Sequence, residues 1–398
     1  MNPFRISSLL WTINLSCITA CTVAYIYLAH YVYISTKEIL FSDIVLISPM
    51  ITPVILYFLV KKLSDHPSPK QSIIGCNVGA LVCAVVTLVC LEVSPLVALL
   101  GGLSIGFFDA AQRVSRTVAI KTYLSEENVK YAVPITLTAQ FLSGGLAGAS
   151  LGYFQEYATP MFVLAFVGSL LVMAIVCTTL LPSLSPEETA KTKQSETVSI
   201  SEVFQQHPKL KYYVLNSILF VGVFQGIFNM ARVTLPAEVL SLPESFVGYL
   251  QLVSSSAALI AALSFFWFNK SGKYLLLKQA RALCFVSLLA FAGSLLSTNI
   301  PSSFALFFVY MLVWEFVFFK YETDVINHCP QEHIATVSAF KYCSSYVSII
   351  FIVVFGGFLT EILGLFFASM VLLVPYLLFL GYDQLSTNKN SELTDQYS

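Results

Sequence analysis

Charged residues inside apolar stretches are the first candidates for chemistry in this sequence. Asp109 is followed on the same helical face by Arg113 and Arg116, at i+4 and i+7. Glu315 lies in another apolar stretch and has Phe319, not a basic residue, at i+4. An ionisable side chain deep in a membrane span costs at least ~2.5 kcal/mol, so it requires a partner, a water-filled cavity or a function. These positions are therefore candidates for moving protons and for binding a charged substrate.

Two interpretations of the acids stay open. Asp109 either forms a structural ion pair with Arg113, one helical turn away, or takes part in proton transfer. Glu315 has its nearest following basic residue, Lys320, at i+5, which favours a functional role. Because a buried carboxylate favours its neutral form, it can bind a proton facing one side of the membrane and release it facing the other. We therefore predict proton coupling at Glu315 and Asp109, and carboxylate binding by the donor fork of Arg113.

Polar residues and glycines on other apolar stretches are candidates for substrate contact and gating. The candidates for substrate contact are Asn14, Tyr25, Gln140, Gln225 and Asn229. For each residue alone, an interhelical hydrogen bond of about 0.6 kcal/mol is the simpler interpretation. The better evidence for substrate contact is that these residues converge on a few helices. Gly144, Gly148 and Gly152 stand four positions apart, a spacing that lets helix backbones approach closely. We predict that Gly144 and Gly148 form a gating contact that slides during transport.

The composition places these residues in a membrane. Hydrophobic residues make up 57% of the chain and charged residues 11%, against roughly 25% charged in soluble domains. Twelve apolar segments are each long enough, at about 20 residues, to cross a bilayer. They lie near 7–29, 41–60, 73–92, 95–115, 131–153, 160–181, 210–230, 246–268, 279–298, 302–320, 336–359 and 362–382. The predicted fold class is an all-α membrane protein with twelve transmembrane helices.

The chain also repeats itself after about half its length. Gly152 corresponds to Gly357, 205 positions further on, and the polar turn that precedes it has a counterpart at the same offset. Asp109 has a near counterpart in Glu315. Repeats of this length in an apolar chain are typical of transporters built from two halves.

The repeat and the polar stretch between its copies predict the domain organisation. We expect an N-terminal six-helix bundle at 1–181, a linker at 182–209, a C-terminal six-helix bundle at 210–382 and a polar tail at 383–398. An N-terminus inside the cell leaves only Lys37 and Arg232 outside, out of 21 basic residues. This asymmetry predicts that both termini and the linker are cytoplasmic.

Several classes of function are disfavoured by the same sequence. The net charge of −1 offers no basic surface for nucleic acid. The chain has no nucleotide-binding glycine loop, nucleophile elbow or zinc pattern, so we predict neither an enzyme nor a cofactor. The nine cysteines show no disulfide framework. His328, Cys329 and His333 share one turn, but their spacing fits no tetrahedral motif, and no metal site is predicted.

Twelve spans in two repeats, a cytoplasmic linker and a basic turn after span two resemble the major facilitator superfamily. Its Gly-x-x-x-Asp-Arg-x-Gly-Arg-Arg pattern is represented by residues 61–66, with Asp65 in the acidic place but without the first glycine and the arginine cluster. Residues 144–149 resemble the antiporter motif of span five without its proline. Residues 107–110 and 204–210 are most similar to the branch that contains the enterobactin exporter.

The resemblance implies two bundles related by a pseudo-two-fold axis along the membrane normal, and a central route lined by spans one, four, seven and ten. Asp109 and Glu315 would then face the route, and Asp65 would act in gating. It implies a monomer in a bacterial inner membrane that exports a small amphipathic or carboxylate-bearing molecule, such as a siderophore or drug, in exchange for protons. Proton-coupled import of a nutrient or iron chelate is the alternative, and a signalling or scaffold protein is a third class.

The orientation is testable by cysteine labelling. A membrane-impermeant maleimide applied to intact cells should modify the Asn299→Cys variant and leave the Ser195→Cys variant unmodified, because position 299 is predicted outside and position 195 in the cytoplasmic linker. Labelling at position 195 from outside would overturn the topology.

Overall fold

The computed structural model describes residues 2–66, 68–154, 159–183, 199–242, 245–273 and 275–395. Most of predicted linker 182–209, Ser195 included, lies outside these ranges. The helices of the first half are α1 Pro3–Thr36, α2 Ile39–Ile55, α3 Tyr57–Ser64, α4 Pro69–Val89, α5 Pro95–Tyr123, α6 Glu126–Phe154 and α7 Pro160–Thr179. Those that follow are α8 Ile200–Gln206, α9 Pro208–Thr234, α10 Ser245–Lys270, α11 Leu277–Leu296, α12 Ile300–His328 and α13 Ile334–Asp395.

The described helices account for twelve spans. Nine are long and apolar enough to cross a membrane, or ten if the bent pair α2 and α3 forms one span. One of the nine, Gln331–Gly381, has 51 residues and is broken at Gly364, whose φ of 76° is non-helical, so it supplies two spans of about 20 residues each. Helix α6, with 29 residues, packs against α1 and supplies the last. The predicted all-α fold with twelve transmembrane helices is confirmed.

The predicted span at 41–60 is bent rather than continuous. Helix α2 ends at Ile55 and α3 begins at Tyr57, with an angle of 72° between them. Pro49 and Pro53 lie inside α2, where neither can donate a backbone hydrogen bond, and proline is the commonest cause of such a kink. The bend lays α3 against α5, where Val60 is fully buried.

Helices α5 and α12 occupy corresponding places in the two halves. Each has 29 residues and begins with a proline in its first turn, behind a capping side chain, Ser94 in α5 and Asn299 in α12. Their first residues, Pro95 and Ile300, are 205 positions apart, which is the offset of the sequence repeat. The second half encloses an apolar core of its own, whereas the core of the first half also takes in Ala261, Phe265 and Phe319 of the second.

The halves are joined at the end of the molecule that carries helix α8. There Lys121 Nζ at the end of α5 donates to the Asn327 carbonyl of α12 at 3.1 Å, and Asn269 Nδ2 of α10 donates to the Lys130 carbonyl of α6 at 3.3 Å. Helix α8 buries Val203 in a cluster that includes residues of α5, α9, α12 and α13. These contacts hold the two halves together at this end.

Two helix backbones approach closely at Gly106 and not at Gly144. A Cβ on Gly106 of α5 would lie 2.5 Å from the Cα of Pro49 in α2, whereas a Cβ on Gly144 would meet nothing within 4 Å. Gly144 therefore makes no close helix contact among the described residues, and the gating role of Gly144 and Gly148 stays a prediction. The surroundings of Gly148 and Gly152 lie outside what the structure describes.

This difference predicts opposite outcomes for two alanine substitutions. Gly106→Ala should destabilise the protein by about 1–3 kcal/mol, because the added methyl group forces α2 and α5 apart. Gly144→Ala is the matched control and should leave stability unchanged. Thermal unfolding in detergent measures both. An unchanged midpoint for Gly106→Ala would show that α2 separates from α5 at little cost.

Candidate functional site

A cavity of about 380 Å³ lies between the two halves. Its wall is formed by α1, α2, α5 and α6 from the first half and by α9, α10, α12 and α13 from the second. The four helices implied by the resemblance, α1, α5, α9 and α12, are among them. A cavity of this size is in the range that encloses a drug-sized molecule.

The predicted site residues divide into those on the cavity wall and those behind it. The residues on the wall are Arg113, Gln140, Gly144, Gln225, Asn229 and Glu315. Asp109, Asn14 and Tyr25 lie outside this lining. Asp65 is exposed just after α3, away from the cavity, and its gating role stays a prediction.

Asp109 and Arg113 form a buried ion pair. The Arg113 Nε donates to Asp109 Oδ2 at 3.1 Å, across one turn of α5. Asp109 is only 6% exposed, and its Oδ1 has no hydrogen-bond partner among the described residues. Because Arg113 binds Asp109 through Nε, its outer nitrogens can bind a ligand in the cavity. Asp109 thus supports Arg113 from behind the wall.

Arg116 is also part of the cavity wall. It is 6% exposed, and its Nη1 donates to Asn14 Oδ1 at 2.7 Å. Asn14 Nδ2 in turn donates to the Thr136 carbonyl of α6 at 3.0 Å. Asn14 is fully buried and uses both ends of its amide in these bonds. It therefore positions Arg116, whereas the sequence predicted that it contacts substrate.

Glu315 is the most isolated charged group in the site. It is 0% exposed, and neither carboxylate oxygen has a hydrogen-bond partner among the described residues. The neighbouring Trp314 Nε1, also on the wall, has none either. Lys320, the nearest following basic residue in sequence, binds Asp324 at 2.6 Å. A carboxylate in such a place is more stable protonated than ionised unless a ligand or water reaches it.

A second pair of charged residues lies on the wall, although the sequence did not point to it. Lys341 of α13 donates to both oxygens of Glu322 on α12, and Ser217 Oγ of α9 donates to Glu322 Oε1 at 3.4 Å. Predicted span ten stopped at residue 320, so Glu322 was taken to lie beyond it. Glu322 follows Glu315 by seven positions, which puts both acids on one helical face. This spacing could have indicated that Glu322 also lies on the wall.

The described wall carries more basic than acidic side chains, together with several aromatic rings. Its described charged residues are four basic, Arg113, Arg116, Arg232 and Lys341, and two acidic, Glu315 and Glu322. Its described aromatic residues are Phe141, Phe228, Trp314, Phe318, Tyr342 and Tyr346. The hydroxyls of Tyr342 and Tyr346 are hydrogen-bonded to each other at 2.8 Å. A cavity of this kind is suited to a molecule that is both anionic and aromatic.

The turn with two histidines and a cysteine has structural contacts. The His328 ring stacks on Tyr213 with centroids 4.5 Å apart, and its Nδ1 contacts the Asp324 carbonyl at 2.8 Å. Burial raises the pKa of the Cys329 thiol to about 12, so this sulfur remains protonated near neutral pH. These contacts favour packing of the turn over metal binding.

The comparisons with known proteins agree with the fold. Among solved structures, the human organic anion transporter MFSD10 superposes with a TM-score of 0.70 at 14% identity, covering 95% of this chain and 99% of that one. A bacterial homologue of the iron transporter ferroportin, in an outward-facing state, gives 0.72 at 12% identity, covering 95% and 99%. The fucose:proton symporter of E. coli gives 0.68 at 13% identity, covering 94% and 97%.

At these identities the similarity concerns the fold alone. No curated protein matches the chain in sequence. The family description Major Facilitator Superfamily matches residues 8–352, which is most of the chain. With its twelve spans, its paired halves and the cavity between them, the chain belongs to the major facilitator superfamily.

Proposed function

We propose that this membrane transporter exchanges protons for a small amphipathic anion and carries that anion out of the cell. The observation that carries the proposal is the position of Glu315. This carboxyl group is fully buried, lies on the cavity wall and has no hydrogen-bond partner among the described residues. A group in that position can hold a proton in one state of the transporter and lose it when water or a cation reaches it in the other.

The substrate class follows from the charges around the cavity. Lys341 is neutralised by Glu322, and Arg113 is paired with Asp109. Arg116 is bound, among the described residues, to the neutral amide of Asn14, and Arg232 also lines the cavity. The wall therefore keeps an excess of positive charge even when Glu315 is ionised. An anionic group on the substrate would balance this excess. A carboxylate fits best, because a guanidinium binds it through two parallel hydrogen bonds.

The aromatic residues of the wall support the proposal that the substrate is amphipathic. Trp314 and Phe318 of α12 face the cavity from one half, and Phe141 of α6 faces it from the other. Aromatic rings offer a large apolar contact area and stack on planar ligands. A siderophore with aromatic groups and a carboxylate-bearing drug both have this chemistry.

Binding and proton release can be coupled through Arg113. The substrate carboxylate competes with Asp109 for the guanidinium, which weakens the Asp109–Arg113 pair. Glu315 on α12 and Arg113 on α5 lie on opposite halves and line the same cavity. Exchange requires that the proton and the anion do not occupy the cavity together, so binding of the anion must accompany loss of the proton from Glu315. The proton and the anion then cross the membrane in opposite directions.

Export is the direction that we favour, in a bacterial inner membrane with both termini in the cytoplasm and the protein acting as a monomer. Its support is the resemblance of residues 107–110 and 204–210 to the branch with the enterobactin exporter. The similar human protein is named as an organic anion transporter, which agrees with the proposed substrate class. Import of a nutrient or iron chelate remains the alternative, and the direction of flux distinguishes the two.

The proton-coupling role predicts a defined defect for Glu315→Gln. Proteoliposomes loaded with carboxyfluorescein, an aromatic carboxylate, should release or accumulate it in response to an imposed pH gradient when they carry the unaltered protein. Glu315→Gln, which imitates the protonated acid, should abolish this response and leave binding of the probe measurable. Asp109→Asn should weaken binding and leave part of the response. Glu361→Gln is the matched control, because Glu361 is an exposed acid on α13. A full pH response in Glu315→Gln would make Glu315 a structural acid.

The anion-binding role predicts a loss of affinity for Arg113→Lys. Lysine keeps the positive charge but not the planar fork of donors. The affinity for carboxyfluorescein, measured by fluorescence anisotropy in detergent, should fall about tenfold or more, since hydrogen bonds to charged groups contribute roughly 1.5–3 kcal/mol. Arg5→Lys, at an exposed position near the start of α1, is the matched control and should bind as the unaltered protein does. Equal affinity for both variants would place the anion elsewhere.

A further inference from the structure

Three side chains that can ligate a metal lie together inside the first half of the protein. They are Cys17 and Cys21, one turn apart on α1, and Asp109 on α5. One ligand atom from each lies within 4.8 Å of the other two. The cysteines are each 1% exposed and Asp109 is 6% exposed. The spacing in the sequence gave no sign of this group, because Asp109 is far from both cysteines along the chain.

The ion pair with Arg113 leaves part of this group unexplained. Arg113 binds Oδ2 of Asp109, whereas Oδ1 is buried without a hydrogen-bond partner among the described residues. The hydroxyl of Tyr25, one turn beyond Cys21 on α1, is also buried and also lacks a described partner. Oδ1 of Asp109 and the Tyr25 hydroxyl can therefore each accept one more partner inside the protein.

We propose that Cys17, Cys21 and Asp109 form a binding site for one thiophilic divalent cation, with Zn²⁺ as the physiological example. Two thiolates and one carboxylate are a ligand set that zinc accepts in tetrahedral sites, with a fourth position left for water or a hydroxyl group. Thiolate ligands select against Mg²⁺ and Ca²⁺, which prefer oxygen. Two sulfurs bonded to one Zn²⁺ at about 2.3 Å each can be at most about 4.6 Å apart. The three ligand atoms already lie within 4.8 Å of one another, so they need to move together only slightly.

The charge of the site permits a cation despite the neighbouring arginine. In the metal-free protein Asp109 and Arg113 form an ion pair. Binding of M²⁺ forms two metal–sulfur bonds and releases the two thiol protons, so the net charge of the buried group does not change. The groups that face it from neighbouring positions are Arg113, Tyr25 and Cys76. The cation therefore replaces two protons without leaving a buried charge unbalanced.

The cation has a route to the site through the central cavity. Ile18 and Thr22, which directly follow Cys17 and Cys21 on α1, both line the cavity, and so does Arg113. A small movement of the Arg113 side chain would open Asp109 to a cation in the cavity. The site is thus reached by the same space as the anion proposed above, although the two proposals stand on different observations.

Packing of two small thiols is the alternative interpretation, since free cysteine often acts as a buried apolar residue. It predicts no metal binding, and spectroscopy separates it from our proposal. Purified protein in detergent, first stripped with a chelator, is titrated with Co²⁺, which reports thiolate ligation through sulfur-to-metal charge-transfer absorption. We expect about one Co²⁺ per chain, displacement by Zn²⁺ and no competition from excess Mg²⁺. Release of about two protons per Zn²⁺, followed with a pH indicator in weak buffer, is the second readout.

Substitutions assign the site. Cys17→Ser and Cys21→Ser should each remove most of the charge-transfer absorption, and Asp109→Asn should weaken Co²⁺ binding at least tenfold. Cys284→Ser, a buried cysteine in the other half, is the matched control and should bind as the unaltered protein does. Thermal unfolding of each variant without metal confirms that it is folded. Absence of charge-transfer absorption in the unaltered protein, or its persistence in the Cys17→Ser/Cys21→Ser double variant, would overturn the proposal. The assay needs no transport substrate, so its outcome does not depend on the proposed exchange function.

Discussion

The structure depends on keeping charged side chains stable where water is scarce. Arg113 is stabilised by Asp109, Arg116 by the amide of Asn14, and Glu322 by Lys341 and Ser217. Each of these contacts joins groups that would otherwise be costly to bury. Of the two acids that the structure describes on the wall, Glu322 is neutralised by Lys341, whereas Glu315, which we assign to the proton, has no compensating side chain among the described residues.

The same contacts determine which parts can move. Asn14, Arg116 and Thr136 tie α1, α5 and α6 into one unit, and Glu322, Lys341 and Ser217 tie α12, α13 and α9 into another. Contacts between the halves are of a different kind. They include single hydrogen bonds to backbone carbonyls, such as that from Lys121 to Asn327, and edge-to-face aromatic contacts, such as that between Phe141 and Phe319. Rocking of two stiff halves breaks few strong interactions, which suits alternating access.

Asp109 lies where the two proposed ligands meet. Its Oδ2 holds the arginine that we assign to the anion, and its carboxylate belongs to the cysteine group that we assign to a cation. A cation on this carboxylate would compete with Arg113 and leave the guanidinium freer to bind an anion. The two sites would then favour each other, because either ligand weakens the Asp109–Arg113 ion pair and frees the residue that the other ligand binds.

Local patterns in the chain were enough to predict the membrane location, the twelve spans, the repeat and the buried acids Asp109 and Glu315. These properties depend on composition and on helical periodicity, which each segment carries alone. The Asp109–Arg113 pair was also within reach, since both residues lie on one helix. Contacts between side chains on different helices could not be predicted in this way. Asn14 and Arg116 are 102 positions apart, and Cys17 and Cys21 approach Asp109 only because α1 packs against α5. The rotation and separation of packed helices depend on side chains along the whole interface, as Gly106 against Pro49 and the open space at Gly144 illustrate. Which polar groups meet across helices was therefore decided by the tertiary structure.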